Sequence, residues 1–272
     1  MFPLIILGVV QGLTEFLPVS SSAHLVFAQA LLGMPRQGVA LEVLLHVGTL
    51  AAVLWAFRED VAVLVAGCLH TLAAGPRGGV AGNPDPRARL TWLIVIGTIP
   101  TGIIGVLFGP LFERLFDSVT ATAALLIVTG VILMTMLRVS TRKSVDRMTV
   151  GDALVVGVAQ GCAIAPGISR SGTTIAAGRW LGLDQEAAAR FSFLLSIPAI
   201  AGAAALKLPD LRGTVGLGYS PAALGAGFAA SLVSGYAAIV LLLRVARRGR
   251  LHLFAYYCWA AGAIMLVWSL RR

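Results

Sequence analysis

Gln11-Gly12-Leu13-Thr14-Glu15-Phe16-Leu17-Pro18-Val19-Ser20-Ser21-Ser22-Ala23-His24 interrupts an apolar segment with groups that lipid does not accept, and the rest of the chain can be ordered from that interruption. Its counterpart is Pro166-Gly167-Ile168-Ser169-Arg170-Ser171-Gly172-Thr173-Thr174. Pro18 removes an amide donor and disfavours helix at Leu17, while Ser20, Ser21 and Ser22 can bond the backbone groups set free. Pro166-Gly167 interrupts in the same way, and the Ser/Gly/Thr run behind it can open a new helix. Non-helical backbone at membrane depth is tolerated only where protein or a water-filled cavity covers it. Both strings therefore read as tips of re-entrant helix-loop-helix hairpins, whose half-helix N-termini suit a phosphate.

The surroundings are those of a membrane protein. Of 272 residues 58% are hydrophobic and only 12% charged, with a mean hydropathy of +0.89. Apolar runs recur at Leu41 to Phe57, Leu90 to Gly109, Val119 to Leu137, Phe191 to Leu206, Ala222 to Leu243 and Leu251 to Leu270. Each is near the ~20 residues that a helix needs to cross a bilayer. The expectation is an all-α integral membrane protein, one membrane domain over 1–272, with six transmembrane helices and no soluble domain.

The net charge of +9 marks topology rather than nucleic-acid binding. Fourteen of the 21 Lys and Arg lie in Arg58 to Arg89, Arg138 to Arg147, Arg179, Arg190 and Arg244 to Arg250. Arg36, Arg114, Lys207, Arg212, Arg271 and Arg272 form the smaller set, and Arg170 is left for the interior. By the positive-inside rule the larger set is cytoplasmic and both chain ends face outward. Such loops also suit anionic lipid headgroups. Cys68, Cys162 and Cys258 are scattered without metal-ligand spacing and read as small apolar fillers. The N-terminus lacks the basic region of a signal peptide and is read as part of the mature fold.

The chain also repeats itself. Gly8-Val-Val-Gln11-Gly12 resembles Gly157-Val-Ala-Gln160-Gly161, and Leu44-Leu45-His46-Val47-Gly48 aligns with Leu194-Leu195-Ser196-Ile197-Pro198. Near the ends of the halves, Thr129-Gly130-Val131-Ile132 resembles Ala261-Gly262-Ala263-Ile264, the offset shortened by a Gly/Pro-rich loop around Gly75 to Arg89. Repeat one is 1–138, a re-entrant hairpin over 1–34 plus three spans. Repeat two is 150–272, a hairpin over 150–182 plus three spans. Three is odd, so the second half enters the membrane inverted, the first tip from outside and the second from the cytoplasm. In inverted repeats the interrupted helices meet at the pseudo-symmetry interface and form the site.

Arg170 is the most pointed residue: an intramembrane arginine costs roughly 2.5 to 3.5 kcal/mol even on the lenient insertion scale. Its fork matches phosphate oxygens; the alternative is a structural ion pair with Glu15 or Glu42. Gln11 and Glu15 lie one helical turn apart and can offer oxygens to a hard cation, Mg2+ or Ca2+, that bridges substrate phosphates. Ser21 and His24 are three apart, within reach as nucleophile and base, although serines in a broken helix commonly satisfy backbone. Glu42 and His46 read as flanking support or as a helix-helix hydrogen bond. Small-residue patterns at Gly225-Ala226-Gly227 and Gly235 allow close packing within or between protomers, which leaves a homodimer open.

Both polar strings closely resemble the signature motifs of the bacterial undecaprenyl-diphosphate phosphatase family of the bacitracin-resistance type. The likeness extends to Leu41–Leu54 and Phe191–Leu206 and so covers nearly the whole chain. The first motif maps onto Gln11, Glu15, Ser20, Ser21 and His24, and the second onto Pro166, Gly167, Ser169, Arg170, Ser171 and Thr174. Many relatives carry a carboxylate where this chain has Gln11 and a glycine where it has Ala23. The resemblance implies an enzyme of the bacterial plasma membrane, open to the outer face and dependent on a divalent cation. It would remove the terminal phosphate of a C55 polyprenyl diphosphate, recycling the lipid carrier of peptidoglycan synthesis and conferring bacitracin resistance.

The expected chemistry combines both readings. Arg170 and the half-helix amides hold the phosphates, Gln11, Ser20, Ser169, Ser171 and Thr174 line the substrate, and a cation on Glu15 bridges it. Ser21 attacks in line with His24 as base, and water cleaves the phosphoserine; direct attack by water activated by His24 is the variant. A transporter or flippase without hydrolysis is the competing class. A serine hydrolase of acyl or peptide bonds explains Ser21 and His24 and leaves Arg170 idle.

Overall fold

A computed structural model describes residues 2–31, 33, 39–74, 86–139, 143–207 and 220–271. Arg36, Arg142, Arg212, Arg272 and positions 75–85 of the Gly/Pro-rich loop lie outside the described residues. Within them the chain is all-helical: α1 (Phe2–Phe16), α2 (Ser21–Leu31), α3 (Val39–Ala56), α4 (Arg58–Ala74), α5 (Pro86–Phe116), α6 (Val119–Thr135), α7 (Val150–Cys162), α8 (Arg170–Trp180), α9 (Gln185–Lys207), α10 (Pro221–Arg247) and α11 (Phe254–Leu270). An isolated bridge between Lys143 and Leu183 is the one β-type contact among these residues.

Five helices are long and apolar enough to cross a membrane, spanning Arg89–Phe116, Val119–Arg138, Gln185–Leu206, Pro221–Arg247 and Leu251–Leu270. The chain is a multi-pass membrane protein. The sixth expected span falls among the shorter apolar helices, at Leu41–Ala56, because the helix breaks at Phe57 and Arg58-Glu59-Asp60 starts the next. The segment that follows, ahead of the Gly/Pro-rich loop, is itself helical: α4 carries two acids in its first turn, where the helix dipole favours them.

Capping sets the helix starts. Ser118 accepts from the Ala121 amide at α6, Thr149 and Asp152 form a capping box at α7, and Ser220 precedes Pro221 at α10. Packing then depends on missing side chains. A Cβ on Gly8 of α1 would fall 2.3 Å from the Gly227 carbonyl oxygen of α10, and one on Gly157 of α7 would fall 2.0 Å from that of Gly97 in α5. Small residues let backbones approach closely where lipid supplies no hydrophobic drive between helices.

The basic segments of the larger charge set gather at one end. Arg190 meets Asp60 at 2.9 Å, Arg247 meets Glu186 at 2.9 Å, and Lys143 pairs with Asp152. Arg89 donates to the carbonyls of Asp146 and Met148. Backbone bonds from the Lys143 amide to Gly182 and from the Asp184 amide to Lys143 join the same region. These contacts fasten the ends of α4, α5, α7, α9 and α10.

Candidate active site

The α1–α2 break is a turn of four residues, Leu17 to Ser20. Ser20 is the one non-glycine residue with positive φ among the described residues, at 67°. A left-handed serine costs roughly 1 to 2 kcal/mol and persists only where its surroundings over-determine it. They do so here. The Ser20 carbonyl accepts from the His24 amide at 3.3 Å and from His24 Nδ1 at 2.8 Å. Its hydroxyl accepts from the Ala23 amide at 3.4 Å and lies 3.1 Å from Ser22 Oγ.

The α7–α8 break turns on Gly167, at φ 99°, where a Cβ would meet the Thr122 carbonyl oxygen at 2.3 Å. Thr129 of α6 clamps this turn, donating to the Gly167 carbonyl at 2.8 Å and accepting from the Ser169 amide at 3.0 Å. Ser169 caps α8 through the Gly172 amide at 3.1 Å, which starts the new helix at Arg170.

The two breaks touch. Ser171 Oγ donates to the Leu17 carbonyl at 3.0 Å, the Gly167 amide to Ser22 Oγ at 3.4 Å, and a Cβ on Gly172 would lie 3.2 Å from Pro18 Cβ. At their junction sits Glu15, 7% exposed. Arg170 Nη2 donates to its Oε1 at 2.5 Å across 155 residues of chain. Its Oε2 accepts from Ser21 Oγ at 2.6 Å and from Gln11 Nε2 at 2.9 Å, with His46 Nε2 at 3.6 Å. Of the two partners expected for Arg170, Glu15 is therefore the one it meets.

Ser21 and His24 are not brought into hydrogen bond. Ser21 turns inward to Glu15, while both imidazole nitrogens are held elsewhere: Nδ1 on the Ser20 carbonyl and Nε2 on Tyr257 Oη at 2.7 Å. Spacing of three on a helix gives reach, and the acceptor with the stronger charge takes the hydroxyl. Ser169 Oγ and Ser171 Oγ lie 3.3 Å apart. Thr174 is spent on backbone and on Ser192 Oγ, 2.5 Å away. His46 bonds the Glu42 backbone carbonyl, not its carboxylate. Tyr257, Thr129 and Ser192 escaped the sequence reading; each stands in an apolar span with no local signal of a polar role.

Two buried polar atoms beside Glu15 have no partner among the described residues: Arg170 Nη1, a donor, and Gln11 Oε1, an acceptor. An unmet buried group costs roughly 1 to 3 kcal/mol, more when charged. One is suited to an anion and the other to a cation. Among the described residues no three His, Cys, Asp or Glu gather in a cage for a metal, so a cation here would share Glu15 and the Gln11 amide oxygen with substrate oxygens, as Mg2+ commonly does.

The family described as bacitracin resistance protein BacA matches residues 4–264, which include both breaks. A protein of Desulfatibacillum aliphaticivorans named undecaprenyl-diphosphatase is 47% identical over 268 residues, covering 97% of this chain and 96% of its own. Proteins of the same name from Methanobrevibacter smithii and Halothermothrix orenii are 46% identical over 270 residues and 45% over 269, each covering 98% of this chain and 96% and 97% of their own.

Proposed function

The chain belongs to the bacitracin resistance protein BacA family, and from that premise we propose that it is an undecaprenyl-diphosphatase, releasing the terminal phosphate of undecaprenyl diphosphate to leave undecaprenyl phosphate. Recycling of this carrier would serve peptidoglycan synthesis and confer bacitracin resistance. The observation that carries the reading is the junction of Glu15, Arg170 and Ser21 within 2.6 Å contacts, assembled from two broken helices.

The architecture proposed is six transmembrane helices, α3, α5, α6, α9, α10 and α11, plus two re-entrant hairpins, α1–α2 and α7–α8, in an inverted repeat. The cross-packing supports it, since α1 lies against α10 of the other half as α7 lies against α5, each through a glycine backbone contact. The charged end is cytoplasmic on the positive-inside rule. The site then opens to the outer face of the plasma membrane, and the prenyl tail stays in lipid.

In the mechanism, Arg170 and the positive end of α8 bind the phosphates, Nη1 supplying the unused donor. A bound divalent cation on Glu15 and Gln11 would neutralise charge on the diphosphate. Ser21 Oγ forms a bond to the terminal phosphorus as the bridging P–O bond breaks, the lipid phosphate leaves, and the serine proton passes to Glu15 Oε2, its present acceptor. Water then cleaves the phosphoserine with His24 as its base, and Ser21 Oγ takes its proton back from Glu15 as the P–O bond to serine breaks. Ser20, Ser169, Ser171 and Thr174 shape the two turns around the substrate.

Phosphate release from undecaprenyl diphosphate by the detergent-solubilised protein tests the reading. The expected result is release far above background with Mg2+ or Ca2+ and background release with chelator. Background release under all conditions, with lipid movement in vesicles, would assign the chain to transport instead.

A further inference from the structure

We propose that Tyr257 holds the His24 imidazole in one orientation and relays the proton of the cleaving water to it; the functional half of this rests on the phosphatase reading. The argument begins with the donor inventory. Ser20 O is a carbonyl and only accepts, so His24 Nδ1, 2.8 Å away, carries the ring proton. In the neutral ring Nε2 is then the lone pair, and Tyr257 Oη at 2.7 Å is its donor. The two rings also stack, with centroids 5.6 Å apart and planes 11° apart.

Two contacts fix one ring in both angle and position. Nε2 has one lone pair and the Tyr257 hydroxyl sits on it, so the proton of the attacking water passes to Oη as the phenol's own proton passes to Nε2, and the phenol oxygen then accepts from the imidazolium in the same seat. The Ser20 carbonyl on Nδ1 leaves Nε2 as the basic nitrogen, the common way in which a partner on one ring nitrogen selects the other. The first turns of α11 brace the first break at a second point, where Cys258 Sγ lies 3.5 Å from the Pro18 carbonyl oxygen. Tyr256 packs edge-on against Trp259, at 5.8 Å and 87°, which holds this turn of α11 in place.

Tyr257→Phe keeps the stacked ring and deletes the hydrogen bond. The expected result is kcat lowered about fivefold, the scale of one lost hydrogen bond, with KM within about twofold of wild type. In a His24→Ala background the same change should cost nothing further. A readout that needs no turnover is 15N NMR of histidine-labelled protein in detergent, with the His24 signals assigned by their loss in His24→Ala. Wild type should show a protonated Nδ1 and a hydrogen-bonded, unprotonated Nε2, and Tyr257→Phe should move the Nε2 signal toward that of a free imidazole. Unchanged His24 signals in Tyr257→Phe would overturn the proposal, as would an equal kcat loss with His24 absent. A protein that shows the expected signals yet never releases phosphate would refute the phosphatase reading and leave the pairing standing.

Discussion

Glu15 is where the residues of this site acquire their meaning, since Gln11, Ser21, Arg170 and His46 all converge on one carboxylate. Removing one partner of a buried pair strands the other charge at a cost of roughly 3 to 5 kcal/mol, so Arg170→Ala is expected to lose stability as well as activity. Arg170→Lys separates the two. It keeps the charge and loses the planar fork, and we expect a melting temperature near wild type with phosphate release down about tenfold to a hundredfold. Ser21→Ala should abolish a labelled phosphoenzyme in rapid-quench experiments with substrate labelled on the terminal phosphate; a phosphoenzyme of normal amplitude, or substantial turnover, would remove the serine from the nucleophile role. The convergence of Glu15 and Arg170 was legible in the sequence because lipid makes each alone expensive. The partner of His24 was not. Spacing of three points to Ser21, whereas the partner of Nε2 lies 233 residues further on, in a span whose composition reads as plain membrane helix.

At the scale of elements, the breaks are specific objects with steric reasons. Gly167 combines φ 99° with a carbonyl 2.3 Å from any added Cβ, so Gly167→Ala should destabilise the protein by about 2 kcal/mol or more and lower the yield of folded material in thermal assays. Gly8→Val and Gly157→Val should each drive apart a helix pair, α1 from α10 and α7 from α5, whereas the same change at Gly202, which has nothing within 4 Å, should be tolerated. The long apolar helices α6, α10 and α11 could be read from hydropathy alone. Helix α4 could not, because its opening Arg58-Glu59-Asp60 looks like a loop until Asp60 is seen to meet Arg190 of α9. That contact is tertiary, and no local pattern contains it.

For the molecule as a whole, the proposed inverted repeat accounts for two distant strings forming one site. Each half supplies a broken pair that packs on a helix of the other half, so neither site nor fold belongs to one half. The proposed orientation puts the end that holds the Arg190–Asp60 and Arg247–Glu186 contacts in the cytoplasm, so a cysteine placed at Arg248 in a cysteine-free background should react with an impermeant maleimide only after cells are opened. The central claim is that the Leu17–Ser20 and Ala163–Ser169 turns lie against each other. Cβ atoms at 18 and 172 fall 3.2 Å apart, close to the roughly 3.5 to 4.5 Å of a disulfide. A cysteine-free protein carrying Pro18→Cys and Gly172→Cys, with a protease site introduced between the halves at 140–142, measures this directly. After oxidation and cleavage the account predicts that the halves migrate as one band without reductant and as two with it; two bands under both conditions would contradict it.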